Sequence, residues 1–119
     1  MIIEIENLRL RGIVGVYEHE QACPQDIIIN AKLTFNAEQA VETDDLEYAV
    51  DYEKLIGDIR SLLEHGRFRL LETVAQRITD MISADRRISH AEVKVSKPHA
   101  ISAADRISVI ASFDRLSQK

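Results

Sequence analysis

One lysine, two glutamates and a tyrosine carry the side chains with the best claim to chemistry. The lysine stands in "AEVKVSKPHA", residues 91–100. Ala91, Val93 and Val95 alternate with Glu92, Lys94 and Ser96, the period of a half-buried strand. The next residue on the apolar row is Lys97, and Pro98 then ends the ladder. A lysine at a strand end often extends its charged head out to water. Its place on the apolar row argues for partial desolvation instead. Desolvation disfavours the charged amine and suits it to exchanging protons near neutral pH.

Glu72 falls in "RFRLLETVAQRI", early in a helical segment and at the edge of its apolar stripe. A first-turn carboxylate is favoured by the helix dipole alone, yet at that edge it could also face a pocket. Tyr52 opens an earlier helix on its apolar side, just after Asp51, a fair N-cap. Glu20 sits in "GVYEHEQ" beside Glu18 and His19, where a solvated loop carboxylate is the ordinary case. Metal and nucleophile chemistry find no support. His19, His65, His90 and His99 are scattered without ligand spacing, Cys23 stands alone, and there is neither G-x-S-x-G nor a glycine-rich phosphate loop. No metal and no cofactor are therefore expected.

The chain that must position these residues has 119 of them, 45% hydrophobic and 29% charged, an ordinary globular mix and length for one domain, residues 1–119. A net charge of −5 argues against nucleic acid or an anionic membrane as partner. One cysteine permits no internal disulfide and fits a reducing compartment. "MIIEIENL" lacks a basic n-region and no apolar run is of spanning length, so a cytoplasmic protein is expected.

Period-two patterning predicts strands over residues 3–10, 26–35, 91–97 and 106–113. The first slips phase at Asn7, as a bulge would make it do. "GIVGVYEHEQACPQ" reads as a turn or short loop, and "NAEQAVETDD" as a polar connection. Tyr52, Leu55, Ile56, Ile59, Leu62 and Leu63 form a helical stripe stopped by Gly66. Leu71, Val74, Ala75, Ile78 and Ile82 form a second. The order is ββααββ, an α+β arrangement with helices on one face of a largely antiparallel sheet. The other face, with Asn30, Lys32, Thr34, Glu92, Lys94, Ser96, Arg106, Ser108 and Ser112, is too polar for a dry sandwich. Four strands leave two open edges, a liability that closure into a ring of subunits would remove. A homo-oligomer is expected.

Together, "GVYEHEQ", "DYEKL", "RFRLLETVAQRI" and "EVKVSKPHAISAAD" resemble the dihydroneopterin aldolase family, including its close relative dihydroneopterin triphosphate epimerase, over nearly the whole chain. The resemblance implies the tunnelling fold (T-fold): ββααββ subunits in a tetrameric β-barrel ring around a wet tunnel, two rings usually stacked as an octamer, with active sites between subunits. By motif it implies Lys97 as the acid–base lysine, Glu72 as the pterin anchor, and Tyr52 and Glu20 as further catalytic residues. Leu71, Tyr17 and Asp51 join Glu72 and Tyr52 as substrate contacts.

The implied chemistry suits these types. A pterin offers an N3–H and a 2-amino group side by side to one carboxylate. Loss of the 2′-hydroxyl proton lets the C1′–C2′ bond break into the ring's own C=N, giving 6-hydroxymethyl-7,8-dihydropterin and glycolaldehyde, a step of folate biosynthesis. Re-closing on the other aldehyde face gives the 2′-epimer. "GVYEHEQ" is more like the aldolases. "NLRLR", "QDIIIN", "RFRLLE" and "KPHA" are more like the triphosphate epimerases, for which Arg67, Arg69 or Arg106 could meet the phosphates.

Overall fold

The strand that carries Lys97 is the fourth of five in one sheet. The computed structural model describes residues 1–115. Among them the elements run β1 (Ile2–Val14), α1 (Glu18–Ala22), β2 (Gln25–Phe35), α2 (Glu38–Thr43), a 3-10 turn (Leu46–Tyr48), α3 (Tyr52–His65), β3 (Arg67–Phe68), α4 (Leu71–Ser83), β4 (Ile88–Pro98) and β5 (Arg106–Asp114). The sheet order is β3-β1-β2-β4-β5, antiparallel except where β3 joins the end of β1 in parallel. The expected ββααββ order holds. The segment expected to be a loop contains α1, the polar connection contains α2, and the 3-10 turn follows directly after that connection. β3 had no periodic signal, being two residues long.

The phase slip at Asn7 is a bulge. The β1–β2 register shifts between Ile5 and Leu8, and Asn7 takes φ 52°, a conformation that asparagine tolerates better than most residues. Its N–H donates to Asn30 Oδ1 at 2.8 Å. The bulge returns Leu8 and Leu10 to the face of Ile3 and Ile5, so one face stays apolar along all thirteen residues of β1.

That face is the core. Ile27, Ile29, Leu33, Ala91, Val93 and Val95 are buried on it, and Val74, Ile78 and Ile82 of α4 with Ile59 and Leu63 of α3 cover it. Burial of each such aliphatic side chain contributes about 1.5–3 kcal/mol relative to exposure. Asp51 caps α3, its Oδ1 accepting from Lys54 N–H at 3.0 Å. Gly66 ends it, where a Cβ would stand 2.7 Å from both the Leu62 carbonyl and the Phe68 ring. Tyr52 departs from expectation. It is 55% exposed, because it occupies the first position of α3, where little among the described residues packs over it.

The opposite face is mostly open. Lys32, Glu92, Arg106 and Ser112 are exposed, and Asn30, Thr34, Lys94 and Ser108 half-buried. Ser96 differs, being fully buried with its Oγ 2.8 Å from that of Ser108. β3 pairs with only Ile13 and Val14 of β1. Among the described residues, the rest of that edge and the outer edge of β5 have no partner strand.

Candidate active site

Three chain segments converge at the C-terminal end of β4. Strand alternation puts Lys97 opposite Ile107, on the core face, where it is 9% exposed. Its ammonium is not left unpartnered. Nζ donates to the Val14 carbonyl at 3.0 Å and to Glu20 Oε2 at 2.5 Å. An ammonium has three N–H donors, so one remains for the pocket that Lys97 lines. The partly desolvated lysine expected from sequence lies in an ion pair with Glu20, the two side chains only 11% and 13% exposed.

Glu20 reaches this position because residues 18–22 form α1 rather than a loop. Its Oε1 accepts from the Tyr17 N–H at 3.2 Å, the back-reaching half of a capping box. The Lys97 ammonium hydrogen-bonded to it holds the Glu20 carboxyl below its ordinary value of 4.5. Burial works in the opposite direction, and the Tyr17 N–H adds to the lowering. Gly15 makes room for the carboxylate: it has φ 158°, and a Cβ there would lie 2.3 Å from Glu20 Cδ.

Glu72 comes from the first turn of α4. It is exposed and engages no hydrogen-bond partner among the described residues. Leu71, the first residue of that helix, is buried. Together with Tyr17, Glu20, Lys97 and Ile101 these two line a pocket of about 260 Å³. Four larger grooves, of about 330 to 570 Å³, lie elsewhere; one of them, of about 420 Å³, is lined by Asp51, and none by the other six expected residues. The Tyr17 ring is 65% exposed and stacks on His19 with centroids 5.8 Å apart, leaving a flat aromatic surface at the rim.

Five of the seven expected residues therefore meet in one chain: Lys97, Glu20, Glu72, Leu71 and Tyr17. Tyr52 and Asp51 do not. They begin α3, about 20 Å from its far end at His65 at ~1.5 Å per residue, and neither lines the pocket. Of the three arginines named for an anionic substrate, only Arg69 lines the pocket. Arg67 lines a different groove, and Arg106 faces the open side of the sheet, one residue out of phase with Ile107. The sequence reading missed Gly15 and Ile101, neither of which has a side chain that advertises chemistry.

A lysine–glutamate ion pair thus lines an open pocket on an α+β chain whose sheet is covered on one face. The family model "FolB: Dihydroneopterin aldolase" matches residues 3–112. The chain belongs to the dihydroneopterin aldolase family. It is similar to the dihydroneopterin triphosphate 2′-epimerase of Pseudomonas aeruginosa, with 37% identity over 90% of this chain and 87% of that one. It is also similar to the dihydroneopterin aldolase of Haemophilus influenzae, with 30% identity over 89% and 90%. The crystal structure of Escherichia coli dihydroneopterin aldolase in complex with neopterin superposes with TM-score 0.89 and 27% identity, over 95% of this chain and 98% of that one. The relatives are thus enzymes of two kinds, lyase and isomerase. No helix among the described residues is long and apolar enough to cross a membrane.

Proposed function

We propose that this chain catalyses reversible retro-aldol cleavage of the 7,8-dihydroneopterin side chain, acting as an aldolase with 2′-epimerase activity. The observation that carries the reading is Lys97, buried at a strand end with its ammonium on Glu20 and its third N–H free toward the pocket. Glu72 anchors the pterin by accepting from N3–H and the 2-amino group. Tyr17, with Tyr52 of a neighbouring subunit, offers flat surface to the ring. The Lys97–Glu20 pair, through an ordered water, takes the 2′-hydroxyl proton. The C1′–C2′ bond then breaks, its electrons passing into the ring C=N, and glycolaldehyde forms. Return of a proton to C1′ gives 6-hydroxymethyl-7,8-dihydropterin. If the aldehyde turns before leaving and the bond re-forms, the 2′-epimer results.

A second reading, dihydroneopterin triphosphate 2′-epimerase, is favoured by the higher identity to that relative, 37% against 30%. Arg69 at the pocket rim, with no ion-pair partner among the described residues, would meet the phosphates. Both readings use the same bond cleavage and differ in whether the aldehyde escapes. Incubation with 7,8-dihydroneopterin and, separately, with its triphosphate tests them. Glycolaldehyde from the former supports the aldolase. Epimer from the triphosphate without glycolaldehyde supports the epimerase. Neither product from either substrate refutes both.

The separation of Tyr52 and Asp51 from the pocket supports a site completed by a second subunit. The open sheet edges support a ring tetramer, stacked as an octamer.

A further inference from the structure

The helix that carries Glu20 is five residues long and buries none of them. A helix so short is not stable on its own, so something else must hold the carboxylate against Lys97. Besides Lys97, Glu20 itself engages the Tyr17 N–H and the Gln25 side chain. A further fixture is the next residue. Gln21 turns away from the pocket toward the seam where β3 joins the end of β1. There its Nε2 donates to the carbonyls of Gly15, at 2.6 Å, and of Phe68, at 2.9 Å. The Phe68 carbonyl also accepts from the Gly15 N–H at 2.9 Å, so one amide group ties both strands and the helix at a single point. Gly15 is the residue whose missing Cβ leaves room for Glu20, and Val14 before it supplies the carbonyl on Lys97.

An amide suits this place. Both acceptors are carbonyl oxygens, which need two N–H donors on one nitrogen. A carboxylate would be repelled, and an aliphatic chain would leave α1 without its tie to this seam. We propose that Gln21 is a positioning residue: it holds no substrate, but sets the Glu20 carboxylate on Lys97. The inference rests on the reading that this pair moves the proton. A displacement of about 1 Å at a catalytic group can cost ~10²-fold in rate, so the bond pair of Gln21 has leverage out of proportion to its stability.

Gln21→Met keeps length and bulk and removes both donors. It should lower kcat for 7,8-dihydroneopterin about 10–10²-fold, shift the acid limb of the pH–rate profile, and leave neopterin affinity within about twofold. Gln21→Asn, which keeps the amide but shortens its reach, guards against a Met variant that does not fold and should give a smaller loss of the same kind. The deciding measurement is a double-mutant cycle with Glu20→Ala, since residues that act through one another are not additive. If Gln21 works through Glu20, adding the Gln21 change to Glu20→Ala costs nothing further in kcat. Independent, multiplying losses overturn the proposal. So does a normal kcat in a folded Gln21 variant while Glu20→Ala is impaired, and that outcome leaves the retro-aldol reading standing. Full activity in Glu20→Ala removes the reading and the proposal together.

Discussion

Lys97 Nζ and Glu20 Oε2 lie 2.5 Å apart although 77 residues separate them in the chain. The contact joins the last turn of β4's ladder to a helix too short to bury anything. It stabilises the ionised form of Glu20.

The pair predicts a pH dependence with a definite sign. Glu20 titrates below its ordinary value of 4.5 because Lys97 stabilises its ionised form. A carboxylate depressed on folding contributes stability that is present above its unfolded value and lost as the pH falls through the lowered one. Stability should therefore decline on acidification below about the ordinary glutamate range. Glu20→Gln should flatten that decline, as read from melting temperature against pH. An unchanged acid limb would mean that other carboxylates set it.

Gly15→Ala should imitate loss of Glu20. The added methyl would overlap the glutamate side chain at 2.3–2.4 Å, so the carboxylate must leave Lys97. Turnover should fall at least tenfold, by the leverage of a misplaced catalytic group, while neopterin affinity changes little. Steady-state kinetics with inhibitor titration on the same preparation checks this.

Glu72→Ala should act on binding. It leaves the paired pterin donors without an acceptor, at roughly 2–4 kcal/mol where the assembled site is dry. Titration calorimetry with neopterin reads the loss directly. Unaltered affinity would return Glu72 to a helix-dipole role.

If Tyr52 serves the pocket of a neighbour, subunits damaged at different residues should complement. Tyr52→Ala and Lys97→Ala proteins, each nearly inactive, should regain activity when unfolded and refolded together, since some mixed interfaces then carry an intact Lys97 beside an intact Tyr52. Light scattering on the wild type should give a tetramer or octamer. A particle near 13.5 kDa at micromolar concentration would remove the shared site.

Much of this was legible in the sequence, because strand alternation and helical stripes are local signals. The row Ala91, Val93, Val95, Lys97 gave the side of the sheet on which the lysine sits, and the phase slip at Asn7 gave the bulge. What escaped depends on contacts between distant residues. α1 has no apolar period, since it is fastened by Gln21 to a carbonyl 47 residues away. The anionic partner of Lys97 could not be read from the lysine's own strand. Tyr52 followed the helical spacing correctly, yet spacing does not say where the cover over a helix ends. The expectation that sites are shared between subunits came from resemblance and not from any pattern in the chain.

The central claim is that Lys97 moves the proton that opens and closes the C1′–C2′ bond. Its most direct test is Lys97→Ala, with turnover of 7,8-dihydroneopterin, neopterin affinity and melting temperature measured on one preparation. Turnover should fall roughly 10²–10⁴-fold, the usual worth of one acid–base group. Affinity should stay near wild type, because Glu72 carries it, and the protein should remain folded, because a small apolar residue suits that row. Turnover that holds while the melting temperature drops would show Lys97 to be a structural lysine, and would contradict the account.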